Sequence, residues 1–270
     1  MEFIKKVLVF LDARMSTPEL YGWFHLLWLA LMVAATVFLC RRFGKSDDKT
    51  IGRIVFVTAV ITALLEVYKQ INYTFEVKDG EIVTDYLWYA FPFQFCSMPM
   101  YVGLLTGIFR KGRVHDALYA FLSTYAIFAG LCVMAYPGDV FTSTIGVNIE
   151  TMICHASMIP IGVLLLYSGK VKKEHTTVLK AVPVFGAAIT IATILNEIAY
   201  YSGLLEHDDF NMFYISRHMD GHLPVYSLVQ DVIPYPFCLI IYIAGFSIAA
   251  YIMLLGYIGI SSLANKIRKK

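Results

Sequence analysis

The chain has 270 residues, a net charge of +2, 58 % hydrophobic residues and only 16 % charged residues, whereas soluble domains carry about 25 % charged and about 45–50 % apolar residues. A soluble protein with this surplus would expose large apolar patches, so the composition excludes a water-soluble enzyme, a nucleic-acid-binding module and a disordered chain. It indicates an integral membrane protein, and the length leaves room for roughly seven spans of about 20 residues.

Residues 1–20 precede the first long apolar stretch. Lys5 and Lys6, followed by the apolar run Val7–Leu11, are faintly similar to a secretory signal peptide. That run is shorter than the roughly 7–15 residues such a segment needs, and Asp12 ends it. We therefore expect an amphipathic helix that lies in the membrane interface.

Seven apolar stretches follow, each long enough to cross a hydrocarbon core of about 30 Å as a helix. Helix is expected because lipid cannot satisfy unpaired backbone groups. The predicted fold is an all-α membrane protein, a single domain over residues 1–270 built as a bundle of seven transmembrane helices. The spans lie near residues 23–40, 54–71, 87–109, 117–136, 151–168, 178–201 and 235–258.

Positive charge is concentrated in the connections that follow spans one, three, five and seven, which hold most of the 22 Lys and Arg residues. The positive-inside rule assigns that face to the cytoplasm. The connections on the other face, residues 70–86 and 202–234, are acidic instead. We therefore expect the amino terminus outside and the carboxyl terminus in the cytoplasm.

The third predicted span contains the sequence Phe-Pro-Phe-Gln-Phe-Cys-Ser-Met-Pro, from Phe91 to Pro99. Proline inside a helix removes a backbone hydrogen bond and clashes with the preceding turn, so this segment is expected to be broken within the membrane and to line a cavity. If a new helix begins after Pro92, Cys96 lies in its first turns, where the helix dipole favours a thiolate. The alternative is a kink filled by a small thiol.

Polar side chains occur at one level of several spans, roughly 5–13 Å below the outer surface by helical rise. Ionisable groups inside a membrane are functional candidates by default, so this layer predicts a cavity open to the outer leaflet. Its members are His25, Glu66, Lys69, Gln70, Gln94, Cys96, His155, Asn196 and Glu197.

These residues also have structural explanations. Glu66 and Lys69 are three residues apart on one helix and can pair with each other. His155 can be a packing residue, and His25 can anchor a helix end beside its tryptophan neighbours. Asn196 and Glu197 can join helices by hydrogen bonds.

The five cysteines all lie in or at the ends of apolar spans, and their odd number makes a disulfide framework or a cysteine-rich metal cluster improbable. Three of them are most simply small hydrophobic residues, namely Cys132, Cys154 and Cys238. A metal site on His218 and His222 is disfavoured because Gly221 breaks the helix that this spacing requires.

The segments around Cys96 and His155 resemble the YwaF-like integral membrane family, over most of residues 20–260. The family has a proline-containing segment that ends in His-x-Cys-Ser, and Gln94 stands here where the family often has that histidine. Its fifth-span histidine is similar to His155. Its Asn-aromatic-Met-aromatic segment and the prolines before its last helix are similar to Asn211-Met212-Phe213-Tyr214, Pro224 and Pro234-Tyr235-Pro236.

The family includes a eukaryotic seven-span acyltransferase that remodels ether phospholipids through a cysteine and a histidine. The resemblance implies that Cys96 attacks a phospholipid ester and forms a thioester, with His155 as base and then acid. Gln94 or Asn211 would donate to the oxyanion. The supporting or substrate-binding residues are Gln94, Ser97, Glu66, Asn196, Glu197 and Asn211.

The implied partners are a phospholipid acyl donor and a lysophospholipid acceptor, with no cofactor, metal or nucleic acid. A bacterial plasma membrane is favoured over a eukaryotic endomembrane. The alternative is a proton- or solute-coupled transporter, or a lipid-binding membrane protein, that uses Glu66, His155 and Glu197 in the same cavity. The inner halves of the spans lack a polar exit path, and no inverted repeat is evident, which counts against transport.

Overall fold

The computed structural model describes residues 1–203, 210–219, 226–230 and 232–268. Helices dominate this part of the chain. They are α1 (Glu2–Leu11), α2 (Trp23–Phe43), α3 (Asp48–Asn72), α4 (Met98–Ile108), α5 (Gly112–Leu122), α6 (Tyr125–Ala135), α7 (Ile145–Tyr167), α8 (Thr176–Ser202), α9 (Tyr226–Gln230) and α10 (Tyr235–Arg268). Short 3-10 turns cover Trp88–Ala90, Phe95–Ser97 and Met212–Tyr214.

A β-hairpin follows α3, so the all-α prediction is wrong in this detail. Strand β1 (Phe75–Lys78) pairs antiparallel with β2 (Glu81–Thr84). The turn between them is Asp79-Gly80, and both residues have positive φ, 51° and 77°. This dipeptide favours the tight turn whose twist matches that of the two strands. The strands are too short and polar to register as an alternating apolar pattern.

Six stretches of the described chain are helical, long and apolar enough to cross a membrane. They are α2, α3, α7, α8, residues Tyr235–Ala264 of α10, and the pair α5–α6 over Gly112–Ala135. The α5–α6 pair is interrupted at Ser123 and Thr124, whose hydroxyls donate to the Ala120 carbonyl at 3.1 and 2.6 Å. These bonds satisfy a carbonyl that the break in the helix would otherwise leave exposed. The six stretches together make this chain a multi-pass membrane protein.

The third predicted span, residues 87–109, is not a continuous helix. Two 3-10 turns and an extended stretch lead into α4, which has only 11 residues and is about 16 Å long by helical rise. Pro92 ends regular structure, whereas Pro99 lies in the first turn of α4, where its missing N–H is not needed. The third predicted span is therefore the broken segment that its prolines predict, and it is not among the six stretches that are helical, long and apolar enough to cross a membrane.

Helix α7 lies at the centre of the bundle. Within its most apolar window 72 % of the residues are buried, against 11 % for α2 at the periphery. Gly130 on α6 lets the two helices approach closely, because a Cβ there would lie 2.8 Å from the carbonyl oxygen of His155. This central position brings the polar side chains of α7 into the interior of the bundle.

Candidate functional site

An interior cavity of about 70 Å³ lies between α3, the start of α4, α6 and α7. Apolar side chains share its lining with nine polar or charged residues, eight of which lie on α3 and α7. The predicted site residues that line it are Cys96, Ser97, Glu66 and His155. The broken third segment and the central helix therefore contribute to one cavity.

Cys96 reaches the cavity because the chain is irregular before α4. The carbonyl of Pro92, left without a helical partner, accepts a hydrogen bond from the Tyr101 hydroxyl at 2.7 Å. The 3-10 turn Phe95–Ser97 then carries Cys96 directly into the first residues of α4. The thiol lies at the beginning of a new helix, as expected, but just before its first turn rather than within it.

His155 is held in one orientation on α7. Its Nδ1 atom lies 2.7 Å from the carbonyl oxygen of Thr151, and since a carbonyl can only accept, Nδ1 carries the hydrogen. In the neutral imidazole, Nε2 then holds a free lone pair. This atom is buried and has no hydrogen-bond partner among the described residues.

The free Nε2 atom distinguishes His155 from an ordinary packing histidine. Buried polar groups are nearly always paired, and an exception points to strain or to function. Cys96 does not bond to Nε2 in this structure, so thiol and imidazole share the cavity without contact through a hydrogen bond. Such bonds are often absent before substrate binds.

A cluster of three charged side chains forms one wall of the cavity. Lys69 Nζ lies 2.8 Å from Glu66 Oε2 and 3.9 Å from Glu150 Oε1. The pairing of Glu66 with Lys69 is therefore present, and it is extended by a second carboxylate from α7. Charges removed from water are retained in proteins when they are paired in this way.

Hydrogen bonds connect this cluster to the segment before Cys96. Gln70 Nε2 donates to Glu66 Oε1 at 2.7 Å and to the Ala90 carbonyl at 2.9 Å. The Tyr86 hydroxyl donates to Gln70 Oε1. Burial, and then the charge of Glu66, raise the pKa of Tyr86 to about 12, so the phenol stays protonated and can donate.

Glu150 and Thr151 of α7 also line the cavity and were missed in the sequence. Glu150 is 2 % exposed and accepts hydrogen bonds from Cys154 Sγ and Thr151 Oγ1, both at 3.2 Å. Glu150 was overlooked because the predicted span began at residue 151. The spacing of Glu150, Thr151, Cys154 and His155 on one helical face was the signal that could have identified them.

Three predicted site residues fix the irregular backbone of residues 211–216 and lie outside the cavity lining. Gln94 Nε2 donates to the Asn211 carbonyl at 3.0 Å, and its Oε1 accepts from Phe213 N–H at 2.8 Å. Asn196 bonds both backbone groups of Met212, and Asn211 Oδ1 accepts from Ser216 N–H. These three amides therefore hold residues 211–216 in place beside the 3-10 turn that contains Cys96.

Two further members of the predicted polar layer also lie outside the cavity. Glu197 Oε2 is 2.7 Å from Arg217 Nη2 and 3.2 Å from His218 Nε2, on the surface of the bundle. His25 is fully buried and has both ring nitrogens bonded, to Met134 and to Tyr21. A single continuous polar layer is therefore not observed.

Metal ligation finds no support in this arrangement. Within the described ranges, no three His, Cys, Asp or Glu side chains are grouped so that they could hold a metal ion. Of the residues considered for such a site, His222 lies outside the described residues.

The comparisons identify a family and give no direct precedent for an activity. No curated protein and no solved structure shows significant similarity to the chain. A family model described as the TMEM164 family matches residues 20–256, which includes every element of the cavity. The chain therefore belongs to the TMEM164 family, a family of membrane proteins.

Proposed function

We propose that this protein is a membrane-embedded phospholipid acyltransferase or transacylase. One observation carries the proposal: Cys96 and His155 line the same buried cavity, and the Nε2 atom of His155 has a free lone pair directed by the bond from Nδ1 to Thr151. A thiol that shares a buried cavity with an oriented, unprotonated imidazole nitrogen supports the pairing of a cysteine nucleophile with its base. The likeness of both segments to the YwaF-like family supports the same reading.

In the first half-reaction, His155 Nε2 takes the proton of the Cys96 thiol, and the sulfur attacks the carbonyl carbon of a phospholipid ester. The carbon–oxygen ester bond then breaks. The departing glycerol oxygen receives the proton from Nε2, which gives a lysophospholipid and an acyl thioester on Cys96.

In the second half-reaction, the hydroxyl of a lysophospholipid acceptor gives its proton to Nε2 and attacks the thioester carbonyl. The carbon–sulfur bond breaks, and the thiolate recovers the proton from the imidazolium. The cycle exchanges one ester for another and consumes no other reactant. No cofactor or metal is needed for its balance.

Lys69 is the cation of this cavity, and we assign it the stabilisation of negative charge during both half-reactions. Its ammonium group is kept in place by Glu66 and Glu150 from two different helices. A fixed positive charge in a site without bulk water is worth more to a developing oxyanion than the same charge in solution. Gln94 and Asn211, which lie outside the cavity, are not assigned this role.

The substrates are proposed to reach the site from the outer leaflet of a bacterial plasma membrane. The basic connections support an orientation with the amino terminus outside and the carboxyl terminus in the cytoplasm, and the proposal adopts it. Residues 69, 96 and 155 then lie within the outer half of the bilayer, near the depth of phospholipid esters. The cavity of about 70 Å³ accommodates a reacting ester group rather than an entire lipid.

The test is acyl transfer by purified protein in lipid nanodiscs that contain a phospholipid with an isotopically labelled acyl chain and a lysophospholipid acceptor. We expect labelled diacyl product from the native protein, none from Cys96→Ala, and a rate reduced by about 10²- to 10⁴-fold in His155→Ala. Intact-mass analysis should find an acyl adduct that hydroxylamine removes.

Cys132→Ala is the matched control, because Cys132 is an exposed thiol on α6 outside the cavity. It should retain the native rate and the adduct. Undiminished transfer by Cys96→Ala would refute the proposal, as would an adduct that maps to a different cysteine.

Ion- or solute-coupled transport is a second candidate, favoured by the buried cluster of Lys69, Glu66 and Glu150. Paired charges at this depth are typical of proton relays. Flux into proteoliposomes driven by a pH gradient would support it if the flux survived Cys96→Ala but not Glu150→Gln. Transport would be excluded if Cys96→Ala lost acyl transfer and no flux driven by the pH gradient could be measured.

A further inference from the structure

A second, larger cavity lies between α4, α5 and α8, on a different face of α4 from the Cys96 cavity. Its volume is about 750 Å³, within the range of sites that bind small organic ligands. Its walls are formed almost entirely by apolar side chains such as Leu105, Phe121 and Ile191. A groove of this size and polarity is suited to a hydrocarbon chain.

Helix α4 separates this groove from the cavity that holds Cys96. The residues of α4 that line the groove recur at helical spacing on one face, namely Met98, Tyr101, Val102 and Leu105. The residues that line the Cys96 cavity are Pro99, Met100 and Gly103. The groove is therefore a separate site, and its occupancy does not depend on the proposed acyl transfer.

The groove has a positively charged rim. Arg113 is the second residue of α5 and Lys180 lies in the second turn of α8, and both side chains line the groove. Neither side chain forms a hydrogen bond or an ion pair with any described residue. Asp116, the carboxylate at this rim, lies 3.6 Å from His115 Nδ1 through its Oδ1 atom. Two cations without partners are thus available to an anionic ligand.

The apolar wall extends from these cations toward the middle of the bundle. Along α8 the lining continues from Lys180 to Ile191, a distance of about 16 Å by helical rise. This length is close to half of a hydrocarbon core of about 30 Å, that is, to the thickness of one leaflet. Charge and length together match a single lipid with its headgroup at the rim.

We propose that the groove binds an anionic glycerophospholipid of the leaflet on the basic side of the bundle. Its phosphate contacts Arg113 and Lys180, and one acyl chain lies against the apolar faces of α4 and α8. Basic pockets between transmembrane helices on the cytoplasmic side are known to recognise anionic headgroups. A water-soluble phosphate would leave the apolar wall unoccupied, and a zwitterionic lipid would place its cationic group beside two like charges.

The test compares lipid affinities by native mass spectrometry of the full chain, using phosphatidylglycerol and phosphatidylcholine with identical acyl chains. We expect the native protein to prefer phosphatidylglycerol. The double variant Arg113→Gln/Lys180→Gln should bind it roughly 10- to 30-fold more weakly, since each cation near an anionic lipid contributes appreciably. The control is Lys45→Gln/Lys49→Gln, which removes two positive charges from exposed residues on the same side of the membrane but outside the groove. It should bind phosphatidylglycerol as tightly as the native protein does.

A second variant separates the apolar wall from the charge. Ala187 lines the groove from α8 and is exposed, so Ala187→Trp fills the groove without disturbing the core. It should lower phosphatidylglycerol affinity although both cations remain. An equal loss of phosphatidylglycerol affinity in Arg113→Gln/Lys180→Gln and in Lys45→Gln/Lys49→Gln would show a general effect of surface charge. That result would overturn the proposal. Unchanged affinity in Ala187→Trp, or equally tight binding of a headgroup without acyl chains, would also overturn it.

Discussion

Lys69 on α3 reaches across the cavity to Glu150 on α7, with Nζ 3.9 Å from Oε1. The same ammonium group lies 2.8 Å from Glu66 on its own helix, so one cation joins two helices and two carboxylates. The side chains of Lys69 and Glu150 are only 18 % and 2 % exposed. The pair is therefore shielded from the water that weakens ion pairs at protein surfaces.

Removal of this cation should destabilise the bundle strongly. Lys69→Met leaves two buried carboxylates without their partner, and loss of one member of a buried pair costs about 3–5 kcal/mol. The expected result is a large fall in the midpoint of thermal unfolding in detergent. Lys78→Met removes an exposed pair with Glu76 and is the control, for which no measurable change is expected. Equal stability of the two variants would contradict this account of Lys69.

Gln94 should contribute to stability through the backbone that it holds. Gln94→Ala leaves the Asn211 carbonyl and the Phe213 N–H without these bonds, and each buried group left unpaired costs about 1–3 kcal/mol. We expect a lower unfolding midpoint and faster proteolysis within residues 210–219. Thr190→Ala is the control, because its exposed hydroxyl bonds only within α8. Native protection of residues 210–219 in Gln94→Ala would count against this role.

Gly162 should tolerate no side chain where α7 packs on α5 and α6. A Cβ at this position would lie 2.4 Å from Ile127 Cγ1 and 2.6 Å from the Leu122 carbonyl oxygen. Gly162→Ala is expected to lower stability by about 1–3 kcal/mol through overpacking. Gly245→Ala on α10 is the matched control, since nothing lies within 4 Å of its Cβ position. Equal unfolding midpoints for both variants would disprove this packing.

Asp47 should make stability depend on acidity at the start of α3. Hydrogen bonds from the Thr50 side chain and backbone N–H lower the pKa of Asp47 below its ordinary value. A lowered pKa stabilises the folded state above the unfolded pKa of about 3.9, and this stabilisation is lost as the pH falls through the lower folded value.

Asp47→Asn retains a helix-capping side chain that does not titrate. The difference in unfolding midpoint between native protein and this variant should therefore decrease between pH 6 and pH 3. A difference that is constant over that range would show that the carboxylate of Asp47 does not contribute through its charge.

The sequence was most informative where hydropathy and proline positions decide the structure. Long apolar runs predict helices of spanning length, and Pro92 predicts the interruption that places Cys96 at a helix start. Cys96 and His155 were also predicted to lie at the same depth, and both line one cavity. Depth alone does not give the direction of a side chain around its helix, which is why Glu197 and His25 were included in a polar layer and lie outside the cavity.

Other parts of the site depend on contacts between residues distant in the chain. Glu150 precedes the predicted span, so its burial becomes evident only when α7 is seen to begin earlier, at Ile145. Gln94 was expected to face an oxyanion because it is close to Cys96 in sequence. Its amide instead pairs with backbone more than 100 residues away, and no local pattern encodes that partner.

The small volume of the Cys96 cavity bears on the products of the proposed reaction. Space of about 70 Å³ is large enough to admit water, since a cavity needs only about 10–15 Å³ to hold one molecule. Water in that space competes with the lysophospholipid for the thioester. The ratio of transferred to hydrolysed acyl chains should then rise with acceptor concentration.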